Sequence, residues 1–305
     1  MKTEKKYSGV VIPAVTPLTS GLKLDHGAVG KMFGFFHSNN VHPFILGTTG
    51  EGASLPFAMK KEFIQLAGKI KKQGDILYGS ISANAFDESI DLAKCSFDNG
   101  VDVVVATLPS YYALAETAML KYLEQLAENV DGSLMIYNIP STTHMSIPLA
   151  VIDQLSHHPN IVGLKDSERS EERLKQSIEL WEDRKDFSHL LGWAAKSADA
   201  LLMGSDGLVP STGNFEAKLY ADLFKAAREG NINRAYELQK LSDALGNLYQ
   251  QGRTLGESLW ALKVLMKETG LCQPNVMPPI YPQSKEEETK LVNGLKQILN
   301  AETKN

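Results

Sequence analysis

The 305 residues carry 31 Lys+Arg against 36 Asp+Glu, a formal net charge of -5 and a pI near 5.8, so no basic excess is present to neutralise nucleic-acid phosphates. Hydrophobic residues make up 43% and charged residues 22%, which excludes disordered and fibrous classes and allows a substantial core. Met1 to Val10 is charged rather than apolar, and no run approaches the ~20 apolar residues of a membrane helix, so neither a signal peptide nor a membrane partner is expected.

Short β-rich runs alternate with longer segments of helical period, the pattern of βα units. Eight strands are predicted: Gly9 to Val15, His42 to Gly47, Ile76 to Ser82, Asp102 to Ala106, Ser133 to Asn138, Ile161 to Lys165, Phe187 to Gly192 and Gly207 to Val209. Between them, Pro56 to Lys72, Asp87 to Asn99, Ala115 to Asn129 and Ser170 to Glu182 read as crossover helices. Asp87 and Ser170 are suited to cap helix N-termini, and Gly100 follows Asn99 where a left-handed C-cap is wanted. Lys69, Lys71 and Lys72 read as a solvated helix face, and His157 and His158 as surface residues at an αβ turn.

Eight such units favour a closed (β/α)₈ TIM barrel, with a doubly wound open sheet as the alternative. From about Gly230 the pattern becomes purely helical, over Asn231 to Gly246, Thr254 to Thr269 and Lys285 to Leu299, with a Pro-rich extended link at Pro274 to Pro282. The expected organisation is a barrel over residues 1–229 and a C-terminal helical domain over 230–305. Cys95 and Cys272 stand far apart, without disulfide or zinc spacing, and a reducing cytoplasm suits them best.

A barrel carries its active site at the C-terminal ends of its strands, so polar residues closing apolar runs are the candidates. Three places qualify: Thr48 and Thr49, Tyr137, and Lys165. In Ile161-Val162-Gly163-Leu164-Lys165, period two puts Ile161, Gly163 and Lys165 on one face, and Gly163 leaves room for the lysine stem. A desolvated lysine loses its proton more easily and can attack a ketone; a lysine reaching from the strand end to water is the plain alternative. Tyr137 closes the preceding strand, where its phenol can carry protons beside that amine or simply cap the core. In Gly47-Thr48-Thr49-Gly50-Glu51, glycines allow close backbone approach and two hydroxyls with free amides can hold a small carboxylate; Glu51 reads as a structural carboxylate holding the turn.

Taken in order, Gly47-Thr48-Thr49-Gly50-Glu51, Tyr111-Tyr112, Tyr137-Asn138-Ile139-Pro140 and Gly163-Leu164-Lys165-Asp166 resemble the dihydrodipicolinate synthase/N-acetylneuraminate lyase family over nearly the whole chain. The resemblance implies a class I aldolase in which Lys165 forms an imine with pyruvate or another 2-oxo acid, with no metal or organic cofactor. It further implies that Tyr137 is the general acid/base, that Thr48 and Tyr112 complete a proton relay, and that Thr49 with adjacent amides from Gly47 onward holds the carboxylate. Val209 would offer its carbonyl to substrate, and Tyr112 would come from another copy in a homo-oligomer, tetramer or dimer.

The departures bear on substrate. Thr142 stands where dihydrodipicolinate synthases carry an arginine for the second substrate's carboxylate, and a hydroxyl cannot replace that bidentate contact. Asp166-Ser167-Glu168 and Trp193-Ala194-Ala195 differ from the turns of sialic acid lyases, which removes polar partners for a long sugar tail. A 2-keto-3-deoxy sugar acid or a 4-hydroxy-2-oxo acid is the expected substrate, with synthase, sialic acid lyase and dehydratase reactions and a non-catalytic binding protein as alternatives. His144, where many relatives have glycine, either packs on its neighbours or donates to the substrate's distal end.

Overall fold

A computed structural model describes residues 5–302; Met1 to Glu4 of the charged N-terminal stretch lie outside the described residues. Eight parallel strands close on themselves: β1 (Gly9–Pro13), β2 (His42–Ile45), β3 (Tyr78–Ser80), β4 (Val103–Ala106), β5 (Ser133–Asn138), β6 (Ile161–Asp166), β7 (Ser188–Leu191) and β8 (Gly207–Leu208), with β8 pairing back onto β1. The closed barrel expected from the sequence is therefore the fold, and the open sheet is excluded.

Alternation along each strand sorts side chains into two cores. Val103, Val105, Met135, Tyr137 and Leu190 point into the barrel, while Val104, Ala106, Leu134, Ile136 and Leu191 face the helices. The outer core is the larger, and each fully buried Leu or Ile in it contributes about 2 kcal/mol relative to exposure.

The helices follow the strands: α1 (His26–Ser38), α2 (Phe57–Ile70), α3 (Phe86–Asp98), α4 (Glu116–Glu128), α5 (Pro140–Thr143), α6 (Leu149–Leu155), α7 (Glu171–Trp181), α8 (Ser197–Met203) and α9 (Ala217–Arg228). Helical spacing explains their seating; α4, for instance, buries Met119, Leu123, Leu126 and Ala127. Ser170 caps α7 by accepting from the Arg173 N–H, and Gly100 adopts φ +82 after α3. Asp87 is not a cap: α3 begins one residue earlier, at Phe86, so this carboxylate sits in the first turn. Of the lysine run, Lys69 is exposed on α2 and Lys72 is exposed beyond its end, but α2 stops at Ile70 and Lys71 turns to Asp102, 2.6 Å from its carboxylate.

Three further helices, α10 (Ile232–Gln250), α11 (Leu255–Glu268) and α12 (Lys285–Glu302), complete the chain, with an irregular connector through the proline-rich link. A capping box between Thr254 and Glu257 starts α11. Nine residues of α11, Ser258 to Met266, are buried, which makes it a core helix rather than a surface one. Among the described residues no helix is long and apolar enough to cross a membrane.

Candidate active site

The β5–β6 ladder brings the two strongest candidates together, with Tyr137 and Lys165 as register partners. An irregularity decides which way Lys165 faces. Leu134 pairs with Ile161 and Met135 with Gly163, so Val162 is an extra residue, and alternation shifts by one at that point. Ile161 consequently packs in the outer core, and strict alternation from it would have aimed Lys165 at the helices. The expectation that Ile161 shares the lysine's face is corrected by this bulge. A Cβ on Gly163 would meet the Ser188 carbonyl and Met135 Cε, so the glycine accommodates those neighbours.

Lys165 is 4% exposed, and the reading in which it reaches from the strand end to water does not hold. Its ammonium nitrogen lies 3.7 Å from the Tyr137 ring centroid and 4.8 Å from that of Phe44. Gly47 allows the Phe44 ring its place, since a Cβ there would come within 2.9 Å of it. The carboxylate next in sequence is turned outward: Asp166 accepts from Arg173 Nε at 2.6 Å and from Asn138 Nδ2 at 2.9 Å. Among the described residues no carboxylate pairs with Lys165.

Burial therefore pushes the Lys165 amine below the ordinary lysine value of 10.5, against the opposing pull of the Tyr137 oxygen. Burial pushes the Tyr137 phenol up, but the Lys165 charge and hydrogen bonds with Thr48, Lys165 and Ser167 outweigh it, and the net direction is down from 10.0. Once the amine is neutral that pull on the phenol is gone, so the two groups titrate as a coupled pair.

Thr48 Oγ1 stands 3.5 Å from the Tyr137 hydroxyl, at the edge of hydrogen-bonding range. Thr49 is buried, and among the described residues neither the Thr48 nor the Thr49 backbone N–H donates within the chain. The turn is closed by hydrogen bonds from the Glu51 N–H to the Thr48 carbonyl and from the Gly52 N–H to the Gly47 carbonyl, each 3.1 Å. A cavity of about 630 Å³ opens here, lined by Gly47, Thr48, Tyr137 and Thr142 and running outward past Ser80 and Asn84. Lys165 is not in its lining; the amine abuts it through the Tyr137 ring.

The remaining candidates divide. Thr142 is at the cavity wall, with its hydroxyl 3.4 Å from the Ile139 carbonyl. Val209 is buried inside the barrel, and its N–H donates to the Leu191 carbonyl at 2.7 Å. Tyr112 is not brought to Tyr137 or Thr48 within one chain; it is 74% exposed and stacks edge-on against Tyr111. His144 neither packs on its neighbours nor lines the cavity: it is exposed, at φ +58, the left-handed conformation that suits the glycine of many relatives.

Two neighbours of the amine escaped the sequence reading. Ser167, two residues past Lys165, hydrogen-bonds Tyr137, and Gly192 leaves it room. Phe44 stands on β2, three residues before the Gly47 turn, and looks like any core aromatic. Among the described residues no group of three or more His, Cys, Asp or Glu is arranged to hold a metal ion.

Residues 6–298 match the sequence profile of the Dihydrodipicolinate synthetase family. An uncharacterized DapA-like lyase of Pyrococcus furiosus is 30% identical over 95% of this chain and 96% of its own length. A 4-hydroxy-tetrahydrodipicolinate synthase of Pseudomonas putida is 27% identical over 90% of this chain and 92% of its own. Among solved structures, the dihydrodipicolinate synthase of Bacteroides thetaiotaomicron superposes with a TM-score of 0.91 at 28% identity, covering 97% of this chain and all of the other. With a profile matched over almost its entire length, the chain belongs to the dihydrodipicolinate synthetase family and is a carbon–carbon lyase.

Proposed function

We propose that this lyase is a Schiff-base aldolase that cleaves a 2-keto-3-deoxy sugar acid or a related 4-hydroxy-2-oxo acid to pyruvate and an aldehyde, through an imine on Lys165. The observation that carries the reading is the buried Lys165 amine, without a carboxylate partner and against Tyr137. Such an amine is neutral at lower pH than an exposed lysine, and a neutral amine is the nucleophile.

The amine attacks the keto carbon, and loss of water from the carbinolamine gives the imine. Tyr137, with its proton passed through Thr48, takes the proton of the C4 hydroxyl as the C3–C4 bond breaks and the aldehyde leaves. The bond's electron pair flows into the imine to form an enamine, which is reprotonated at C3 and hydrolysed to free pyruvate and Lys165. The imine is the electron sink, so the scheme calls for no metal or organic cofactor. The unengaged Thr48 and Thr49 amides and the Thr49 hydroxyl suit the substrate carboxylate, with the Val209 carbonyl nearby. The exposed Tyr111–Tyr112 pair supports a homo-oligomer, tetramer or dimer, in which Tyr112 from a second copy completes the relay.

Thr142 at the cavity wall, rather than arginine, favours cleavage of a keto acid over condensation with aspartate semialdehyde; the synthase names of relatives keep that condensation as the second reading. Incubation with pyruvate and borohydride, followed by peptide mass mapping, is expected to show a reduced adduct on Lys165. Its absence sinks the Schiff-base reading. A panel of 2-keto-3-deoxy acids assayed for pyruvate release separates the substrates, and activity only in aspartate semialdehyde condensation overturns the subfamily assignment.

A further inference from the structure

A second lysine is buried more completely than Lys165, and it belongs to the C-terminal helices. Lys263 on α11 is fully buried. Its ammonium is ion-paired with Glu51 and donates to the Thr16 carbonyl at 2.8 Å and the Asn275 carbonyl at 2.6 Å, which uses all three of its protons. Glu51 is equally buried, and its other oxygen accepts from the Met277 N–H at 2.6 Å.

These groups surround the Gly47–Gly52 turn. Glu51 holds φ +56, a conformation that an L-residue adopts only when its surroundings insist on it. Thr16 donates its hydroxyl to the Gly50 carbonyl at 2.6 Å, and Asn275 Nδ2 donates to the Leu18 carbonyl at 2.9 Å. A Cβ on Gly52 would lie 1.9 Å from the Leu46 carbonyl oxygen, so the turn is pressed against its own strand end. Thr48 and Thr49 stand three and two residues before Glu51 in that turn.

The geometry points to Lys263 as a positioning residue of the active site: by neutralising Glu51 it fixes the turn that presents the Thr48 and Thr49 amides and hydroxyls. A small carboxylate bound by two amides and a hydroxyl has its affinity set by where those donors stand. Lys263 touches no reacting atom and acts only through Glu51. The C-terminal helices thereby reach the turn as well as lining the cavity through Leu255, Gly256 and Leu259. This inference rests on the Lys165 reading for its activity readout and on the fold alone for its structural one.

Lys263→Met and the milder, near-isosteric Glu51→Gln are compared with wild type in two arms. In the first, pyruvate concentration is varied during borohydride trapping; about a tenfold or larger rise in half-saturating pyruvate is expected, with the limiting trapping rate within about threefold of wild type. A general loss of fold would instead lower the trapped fraction without moving the half-saturation of what remains. In the second arm, hydrogen exchange of the 46–54 segment is expected to speed at least about tenfold while β5 and β6 keep their protection. Unchanged half-saturation in either folded variant, or exchange that rises equally everywhere, overturns the proposal. If wild type traps no pyruvate, the Lys165 reading fails by itself, and the exchange arm still decides whether Lys263 holds the turn.

Discussion

Lys165 and Lys263 are both buried, and the molecule treats them in opposite ways. Lys263 gives its three protons to a carboxylate and two carbonyls, a fully satisfied site. Lys165 faces two aromatic rings and a phenol, with the adjacent Asp166 turned away to Arg173. Burial alone therefore does not make a lysine reactive; burial without a counter-ion does. On the proposed reading, one site uses the charge to hold backbone, and the other weakens the charge to free an electron pair.

That contrast breaks most readily on activity. Lys165→Ala is expected to abolish turnover, by at least about 10³-fold, because no other amine stands there to carry the imine; a variant within tenfold of wild type would refute the nucleophile. Tyr137→Phe keeps the ring against the amine but loses the proton carrier, with an expected fall in kcat of about 10²–10⁴-fold and little change in half-saturating pyruvate.

Stability separates the lysines with one substitution. Lys263→Met strands the buried Glu51 carboxylate and should cost about 3–5 kcal/mol in urea unfolding. Lys165→Met removes an unpaired buried amine and should be neutral or stabilising by about 1 kcal/mol. Equal losses at both sites would erase the distinction. The sign with pH follows: burial lowers the folded Lys165 value, so the unfolded chain holds more protons between that value and 10.5. The advantage of Lys165→Met thus grows as pH falls through that window, and the wild-type trapping rate should reach half its plateau below pH 10.5.

The smallest effect compares two residues with left-handed backbone, His144 and Glu51. His144 is exposed and closes α5 at φ +58, a left-handed cap that glycine adopts without strain, so His144→Gly should stabilise by about 1 kcal/mol. Glu51→Gly relieves the same backbone conformation at φ +56 yet should destabilise, because it leaves Lys263 without its carboxylate. Stabilisation by both would show that the ion pair does nothing for the turn.

Much of this architecture could be read from residue order. Strand-sized apolar runs alternating with helical period announced eight βα units, and Tyr137 and Lys165 stood out as polar residues ending such runs. The facing of Lys165 is not legible in residue order, since nothing in Ile161-Val162-Gly163 marks a bulge and both faces of a barrel strand are apolar. Lys263 was invisible because its partner Glu51 lies 212 positions away, and in an apolar helix a lone lysine reads as a surface residue. Tyr112 shows a different limit: its place in the motif order is clear, but one chain gives it only Tyr111 to touch. His144 carried a legible backbone signal, the position of a glycine, that says nothing about what its ring does.

The distance along the chain between Glu51 and Lys263 also orders events during synthesis. Every strand, including both register partners at the site, leaves the ribosome before α11 does. Until then the Glu51 carboxylate lacks the cation it is buried against. The turn that carries Thr48 and Thr49 therefore reaches its final form among the last parts of the barrel, and a chain cut short before residue 263 would hold the nucleophile without a finished cradle for substrate. A late-made helix in this way withholds competence from incomplete copies.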